Sequence, residues 1–161
     1  SIMSENPHPI HCPVRLAAVQ TQRVPAVRLR RIYIGLDNAL CENRRQLDVL
    51  GVGAYDNGKL IGLAACSADC DDMWQIGVDV LPEYRRQGIA SSLTSNLAIE
   101  IMDRGKVPFY CCAWSNLKSV KNALRSGFVP GWVEMTVKAA SLVENMNNNV
   151  PFVFGLTYKT K

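Results

Sequence analysis

Histidine is scarce in this sequence of 161 residues: His8 and His11 are the only two. No two cysteines stand in a C-x2-C spacing, so Cys12, Cys41, Cys66, Cys70, Cys111 and Cys112 compose no ordinary zinc site, and no metal is expected. No apolar run approaches the roughly 20 residues that span a membrane. Neither G-x4-G-K-S/T nor G-x-G-x-x-G occurs, which excludes the Walker loop and the dinucleotide fingerprint. The formal charge is only +4, without the clustered basicity of a nucleic-acid binder. There is no internal repeat and no long low-complexity tract. Residues 1–13 are polar and proline-bearing, and read as a flexible lead-in rather than an apolar signal. A cytoplasmic protein with reduced thiols, no membrane partner and no nucleic-acid partner is the expectation.

The residues that are present suit a folded domain. Hydrophobic residues make up 48% of the chain and charged residues 20%, outside the disordered range. Residues 14–161 are read as one domain. Val14 to Arg31 is ambiguous, alternating like a strand at first and spaced like a helix later. Asn38 to Gln46 reads as a polar connection or a short helix. Val49 to Tyr55 and Leu60 to Cys66 form a hairpin about Asp56-Asn57-Gly58. Trp74 to Leu81 is the next strand, with Trp74, Ile76, Val78 and Val80 on one face. An amphipathic helix carries Ile89, Leu93, Leu97 and Ile101 and stops at Gly105. Val107 to Ala113 is a buried strand in which at least one of Cys111 and Cys112 is an inert core residue. Ser115 or Asn116 caps a second helix that closes at Gly127. Phe128 to Val137 and Phe152 to Lys159 are later strands, and Asn145 to Asn149 is a loop. This order implies an α/β sandwich with one parallel strand pair.

The segment V-L-P-E-Y-R-R-Q-G-I-A-S-S, Val80 to Ser92, carries the chemistry. The first N–H groups of a helix have no partner inside it, and the helix dipole adds partial positive charge there. Gly88 lets an anion approach the backbone, and Arg85 and Arg86 bring full charges. Ser91 and Ser92 offer hydroxyls. Such a segment can cradle a diphosphate. Read from the residues alone, a plain helix cap with surface arginines is equally consistent.

Arg85-Arg86-Gln87-Gly88-Ile89-Ala90 resembles the R/Q-x-x-G-x-G/A signature of the GCN5-related N-acetyltransferase (GNAT) superfamily. Asn116, Ser119, Gly127 and Phe128 resemble its second helix motif, and the likeness covers roughly residues 48–137 with a cofactor core at 74–128. The resemblance implies a mixed, mostly antiparallel central sheet with a splayed parallel strand pair and helices on both faces. It implies acetyl-CoA as co-substrate, held by Val78 and Val80 along the pantetheine arm, by Arg85, Arg86, Gln87, Gly88, Ile89, Ala90 and Ser91 at the diphosphate, and by Asn116. The acceptor is expected to be a small-molecule or peptide amine attacked directly in a ternary complex, and a homodimer is the superfamily's suggestion.

The sequence departs from the family at the general acid. The tyrosine expected seven residues after the asparagine is Ala123. Tyr110 and Ser115 are the nearby polar candidates, with ring packing and helix capping as their structural readings. Asp79 is the candidate base, because a carboxylate inside a strand is unusual; a hydrogen-bonded structural aspartate is the alternative. Glu134 is a further base candidate. Asp69, Asp71 and Asp72 could attract a cationic amine, and Trp74 and Trp132 could line its pocket, against solvated-loop and core-packing readings. A covalent route through Cys111 or Cys112 is disfavoured, since no histidine lies nearby in sequence. The missing tyrosine motivates an alternative, a non-catalytic acyl-CoA-binding module. The weakly patterned first 47 residues motivate another, the cofactor domain of a longer protein.

Overall fold

The computed structural model describes residues 19–25, 36, 38–40, 42–113, 115–135 and 156–160. The expected lead-in, both histidines, Cys12, Cys41 and the Asn145 to Asn149 loop lie outside the described residues. Seven strands form one sheet: β1 (Val19–Pro25), β2 (Asp48–Asp56), β3 (Lys59–Ala68), β4 (Met73–Val80), β5 (Val107–Ala113), β6 (Pro130–Met135) and β7 (Leu156–Thr160). Their spatial order is β1-β2-β3-β4-β5-β7-β6. Every neighbouring pair is antiparallel except β4 with β5. Two α-helices are described, α1 (Ile89–Met102) and α2 (Leu117–Arg125), with 3-10 turns at Glu42–Leu47 and Pro82–Tyr84.

The ambiguous stretch before residue 31 is a strand where it is described. β1 pairs with β2 along its whole length, from Val19 opposite Asp56 to Pro25 opposite Leu50. Pro25 sits at the end of this edge strand, where a missing N–H does little harm. The hairpin turn falls as the sequence suggests: Asn57 (φ 48°) and Gly58 (φ 80°) are both left-handed, matching the twist of β2 and β3.

Alternation along the strands divides the apolar residues between two faces. On one face Val52, Ala54, Ala64, Cys66, Ile76 and Val80 meet Ile89, Leu93, Leu97 and Ile101 of α1, with Tyr110, Ala123 and Phe128 beside them. The two α-helices share this face. On the other face Val24, Leu63 and Ala65 are covered by Leu36, Ala39 and Leu40. Gly77 of β4 is required there. A Cβ at 77 would run into the backbone carbonyl oxygen of Asn38 and lie 3.1 Å from that of Ala39.

Candidate functional site

The parallel pair is short. Met73, Trp74, Gln75 and Ile76 pair with Val107, Pro108, Phe109 and Tyr110, and the ladder stops at Ile76–Tyr110. Beyond that rung Gly77–Val80 and Cys111–Ala113 no longer pair with each other, while β3 stays on β4 and β7 stays on β5. The two central strands thus part into a cleft, and α1 begins at its open end.

Backbone polar groups alternate sides along a strand. Val80 turns its groups away from β3, and side chains occupy both: its N–H donates to Asp79 Oδ1 (2.9 Å) and its carbonyl accepts from Arg85 Nε (2.8 Å). Val78, two residues earlier, presents its N–H and C=O to the same side, facing the cleft. The Asp79 carboxylate also accepts from Asn38 Nδ2 (3.1 Å) and Arg85 Nη2 (3.4 Å), and only 11% of its side chain is exposed. Arg85 is therefore folded back on the strand end, and Asp79 belongs to the face covered by Leu36, Asn38, Ala39 and Leu40.

Arg86 and Gln87 are exposed, and Arg86 takes a left-handed backbone (φ 63°). Gly88 is the N-cap of α1 with φ 82°, a conformation that favours glycine. It supplies no side-chain cap, and the first bond of the helix runs from the Ser92 N–H to the Gly88 carbonyl. The amides of Ile89, Ala90 and Ser91 precede that bond and have no partner within the helix. The loop before them is tethered to the β2–β3 turn. The Tyr84 hydroxyl donates to Asp56 Oδ2 (3.0 Å), and Lys59 Nζ lies 3.3 Å from Glu83 Oε1. The Asp56 carboxylate, first among the causes, holds Tyr84's proton on its oxygen. The Glu83 carboxyl falls below the usual range, chiefly through its own backbone N–H and then Lys59.

Asn116 rather than Ser115 caps α2, its Oδ1 accepting from the Ser119 N–H (3.2 Å); both residues are exposed. Tyr110, at the last rung, is 4% exposed with its hydroxyl 2.8 Å from Ser119 Oγ. Burial pushes its pKa up from 10. Ala123 is fully buried, packed with Tyr110 and Phe128, whose rings lie 5.8 Å apart. Cys112 is buried and Cys111 half-buried; burial raises Cys112, with Cys111 second. Trp132 stacks on Phe109 at 5.7 Å. Asp71 and Asp72 are exposed, and Asp69 is paired with Arg44. Among the described residues no cluster of histidine, cysteine or carboxylate side chains could hold a metal. No described helix is long and apolar enough to cross a membrane.

Sequence reasoning did not find Asp56, Thr94 or Asn122 as parts of this region, nor the contact that Tyr84 makes. Tyr84 meets Asp56 across 28 residues and Asn122 meets Ser91 across 31. No local spacing announces such contacts.

A family model for GNAT acetyltransferases matches residues 46–131. Among curated proteins no sequence matches the chain. Several solved structures share the fold. An IAA acetyltransferase from Bacillus cereus is 13% identical over 88% of this chain and 97% of its own, with a TM-score of 0.66. A GNAT family acetyltransferase from Elizabethkingia anophelis with acetyl-CoA bound is 12% identical over 89% and 97%, at 0.65. NAA60 of Arabidopsis thaliana in complex with acetyl-CoA is 13% identical over 88% and 96%, at 0.61.

Proposed function

The chain belongs to the GNAT acetyltransferase family, and from that premise we propose that it transfers the acetyl group of acetyl-CoA to a primary amine by direct attack within a ternary complex. The observation that carries this reading is the cleft between β4 and β5, which opens after Ile76–Tyr110 and ends at the first turn of α1. A thioester lying in it meets backbone amides at both ends. The diphosphate sits on the amides of Gly88 to Ser91, where the positive helix end and the exposed Arg86 oppose its charge. Gln87 and Ile89 belong to the same turn, and Asn116 stands at the start of α2. The pantetheine arm pairs with Val78. At Val80 it pairs only by exchanging with Asp79 and Arg85, which hold that rung here.

Holding both reactants in one cleft removes most of the entropy of encounter. The neutral amine attacks the thioester carbon, and an amide such as that of Val78 stabilises the charge developing on oxygen. A C–N bond forms as the C–S bond breaks. The attacking nitrogen gives up a proton, which we assign to Asp79 on the face of Asn38; one of its present donors must first let go. Tyr110 is the buried hydroxyl we assign to the departing thiolate. Ser115 is exposed and sits outside the hydrogen-bonded group around Tyr110.

The acceptor is an amine of unassigned identity, and the fold is shared by enzymes with many acceptors. Thiol release from acetyl-CoA tests the reading. It is expected to rise when amines are added, hydroxylamine, a polyamine, a free amino acid and a peptide with a free N-terminus among them. Ala123, buried and without a hydroxyl, favours one other reading, a module that binds acyl-CoA without turnover. Tight CoA binding with no thiol release across the panel would select it.

A further inference from the structure

The loop between β4 and α1 is fastened at two neighbouring residues, from two different sides. On one side stands the β2–β3 turn. The Asp56 carboxylate there accepts at both oxygens, from Asn57 Nδ2 at Oδ1 (3.1 Å) and from the Tyr84 hydroxyl at Oδ2 (3.0 Å). A carboxylate only accepts, so the direction of both bonds is fixed. The Tyr84 ring is half-buried and packs against the core beneath α1, so ring and hydroxyl are both held. On the other side stands β4. Arg85 Nε donates to the Val80 carbonyl (2.8 Å), and the Arg85 amide donates to the Pro82 carbonyl (3.3 Å). Lys59 adds an exposed pair with Glu83 and lies 5.7 Å from the centre of the Tyr84 ring; exposed pairs of this kind contribute little. The next residue, Arg86, is the strained one. Its φ of 63° is left-handed. A residue with a Cβ disfavours that conformation about 5- to 30-fold. It persists where the surroundings over-determine it. The Arg86 side chain is itself exposed, and the two residues before it are the fastened pair.

We propose that Tyr84, with Asp56 behind it, is a positioning residue for the cofactor: the pair holds Arg86 left-handed before CoA arrives, and so keeps the amides of the diphosphate turn aimed at one point. This rests on the acetyl-transfer reading above, in the part that seats the diphosphate on Gly88 to Ser91. A rotation at Arg86 turns the peptides of Gln87 and Gly88. The amides of Ile89, Ala90 and Ser91 stay in place, because Ile89 and Leu93 anchor the first turns of α1 in the core. Without the tether the loop relaxes toward a right-handed Arg86, and CoA binds only the left-handed fraction. The apparent dissociation constant then rises by the inverse of that fraction. Once CoA is seated the loop is back in its working shape, so the effect falls on affinity and not on turnover. The β2–β3 turn lies on the far side of β4 from β5, and through Tyr84 it sets the affinity for a ligand held between those two strands.

The test uses the full chain, with CoA affinity read by calorimetry and thiol release read from acetyl-CoA with hydroxylamine as acceptor. Tyr84→Phe keeps the ring and removes the donor. It is expected to raise the CoA dissociation constant and the KM for acetyl-CoA by about 10-fold, with kcat at saturation within about twofold of wild type. Asp56→Ala is expected to match it, and the double variant to bind no more weakly than the weaker single, because both remove one tether. The decisive arm is Arg86→Gly, which lowers affinity by losing a charge but takes left- and right-handed φ alike. Adding Tyr84→Phe to Arg86→Gly is expected to weaken CoA by less than about threefold further, since no left-handed penalty remains for the tether to oppose. A change that merely loosened the fold would weaken both backgrounds equally. Should Tyr84→Phe melt below the assay temperature, Asp56→Ala carries the same comparisons. Tyr84→Phe within about twofold of wild-type CoA affinity overturns the proposal, and so does an equal loss in the Arg86→Gly background or a loss confined to kcat. A wild-type chain that binds no CoA sinks the acetyl-transfer reading and the tether together. Wild-type CoA binding without thiol release sinks acetyl transfer alone, and the calorimetric comparisons still decide the tether.

Discussion

Cys66 shows how burial decides the chemistry of a single side chain. It is 1% exposed in the core beneath α1, and desolvation pushes its thiol up to about 12 from an ordinary 9.0. A folded pKa above the unfolded one contributes stability that is complete below pH 9.0 and is lost as pH rises toward 12. The slope in that window is about 1.4 kcal/mol per pH unit. Urea unfolding at pH 8 and pH 11 should show the loss, and Cys66→Ala should make it shallower. Alkylation of the native protein at pH 8 should label the exposed Cys70 and spare Cys66. Gly77 makes the complementary point about space. Its missing Cβ leaves room for the carbonyls of Asn38 and Ala39. Gly77→Ala is expected to destabilise by about 1–3 kcal/mol in denaturant unfolding, as overpacking does.

The element on which the proposed function turns is the loop and first turn at Pro82–Ser92. Its parts were legible in the sequence because they are local: a proline ends a strand, a glycine stands at the cap, arginines precede it, and apolar residues follow at helical spacing. Two left-handed residues, Arg86 and Gly88, shape it, and only one is glycine. Replacing Gly88 by valine should cost roughly 1–2 kcal/mol of stability through its φ and abolish CoA binding while the fold survives. Arg86→Gly should separate the same two quantities in the opposite sense. Relief of the left-handed backbone leaves thermal stability no lower, while loss of the exposed guanidinium weakens CoA in calorimetry. The tethers that fix the loop were not legible. Tyr84 to Asp56 and Arg85 to Asp79 depend on which strands become neighbours, and spacing says nothing of that. For the same reason Asp79 looked anomalous inside a strand, although Asn38, the Val80 amide and Arg85 surround it.

For the molecule as a whole, the order of strands and helices was readable from periodicity between Asp48 and Phe128. The hairpin, the crossover and α1 all repeat an apolar spacing that only one kind of element satisfies. The splaying of the central strands was carried by resemblance alone. Parting is a property of two strands together, and it appears only once the ladder is seen to stop at Ile76–Tyr110. Ser119 was noticed as part of a motif and Tyr110 as a nearby hydroxyl, but Asn122, which joins them to α1, carried no signal in its own neighbourhood. Acetyl transfer as proposed requires the parted sheet to be the seat of the thioester. A crystal structure of the chain with CoA tests it most directly. The diphosphate should lie within hydrogen-bond distance of the amides of Gly88 to Ser91, with the pantetheine arm between Gly77–Val80 and Cys111–Ala113. CoA bound on another surface, or pairing of Gly77–Val80 with Cys111–Ala113 that closes the cleft, would contradict it.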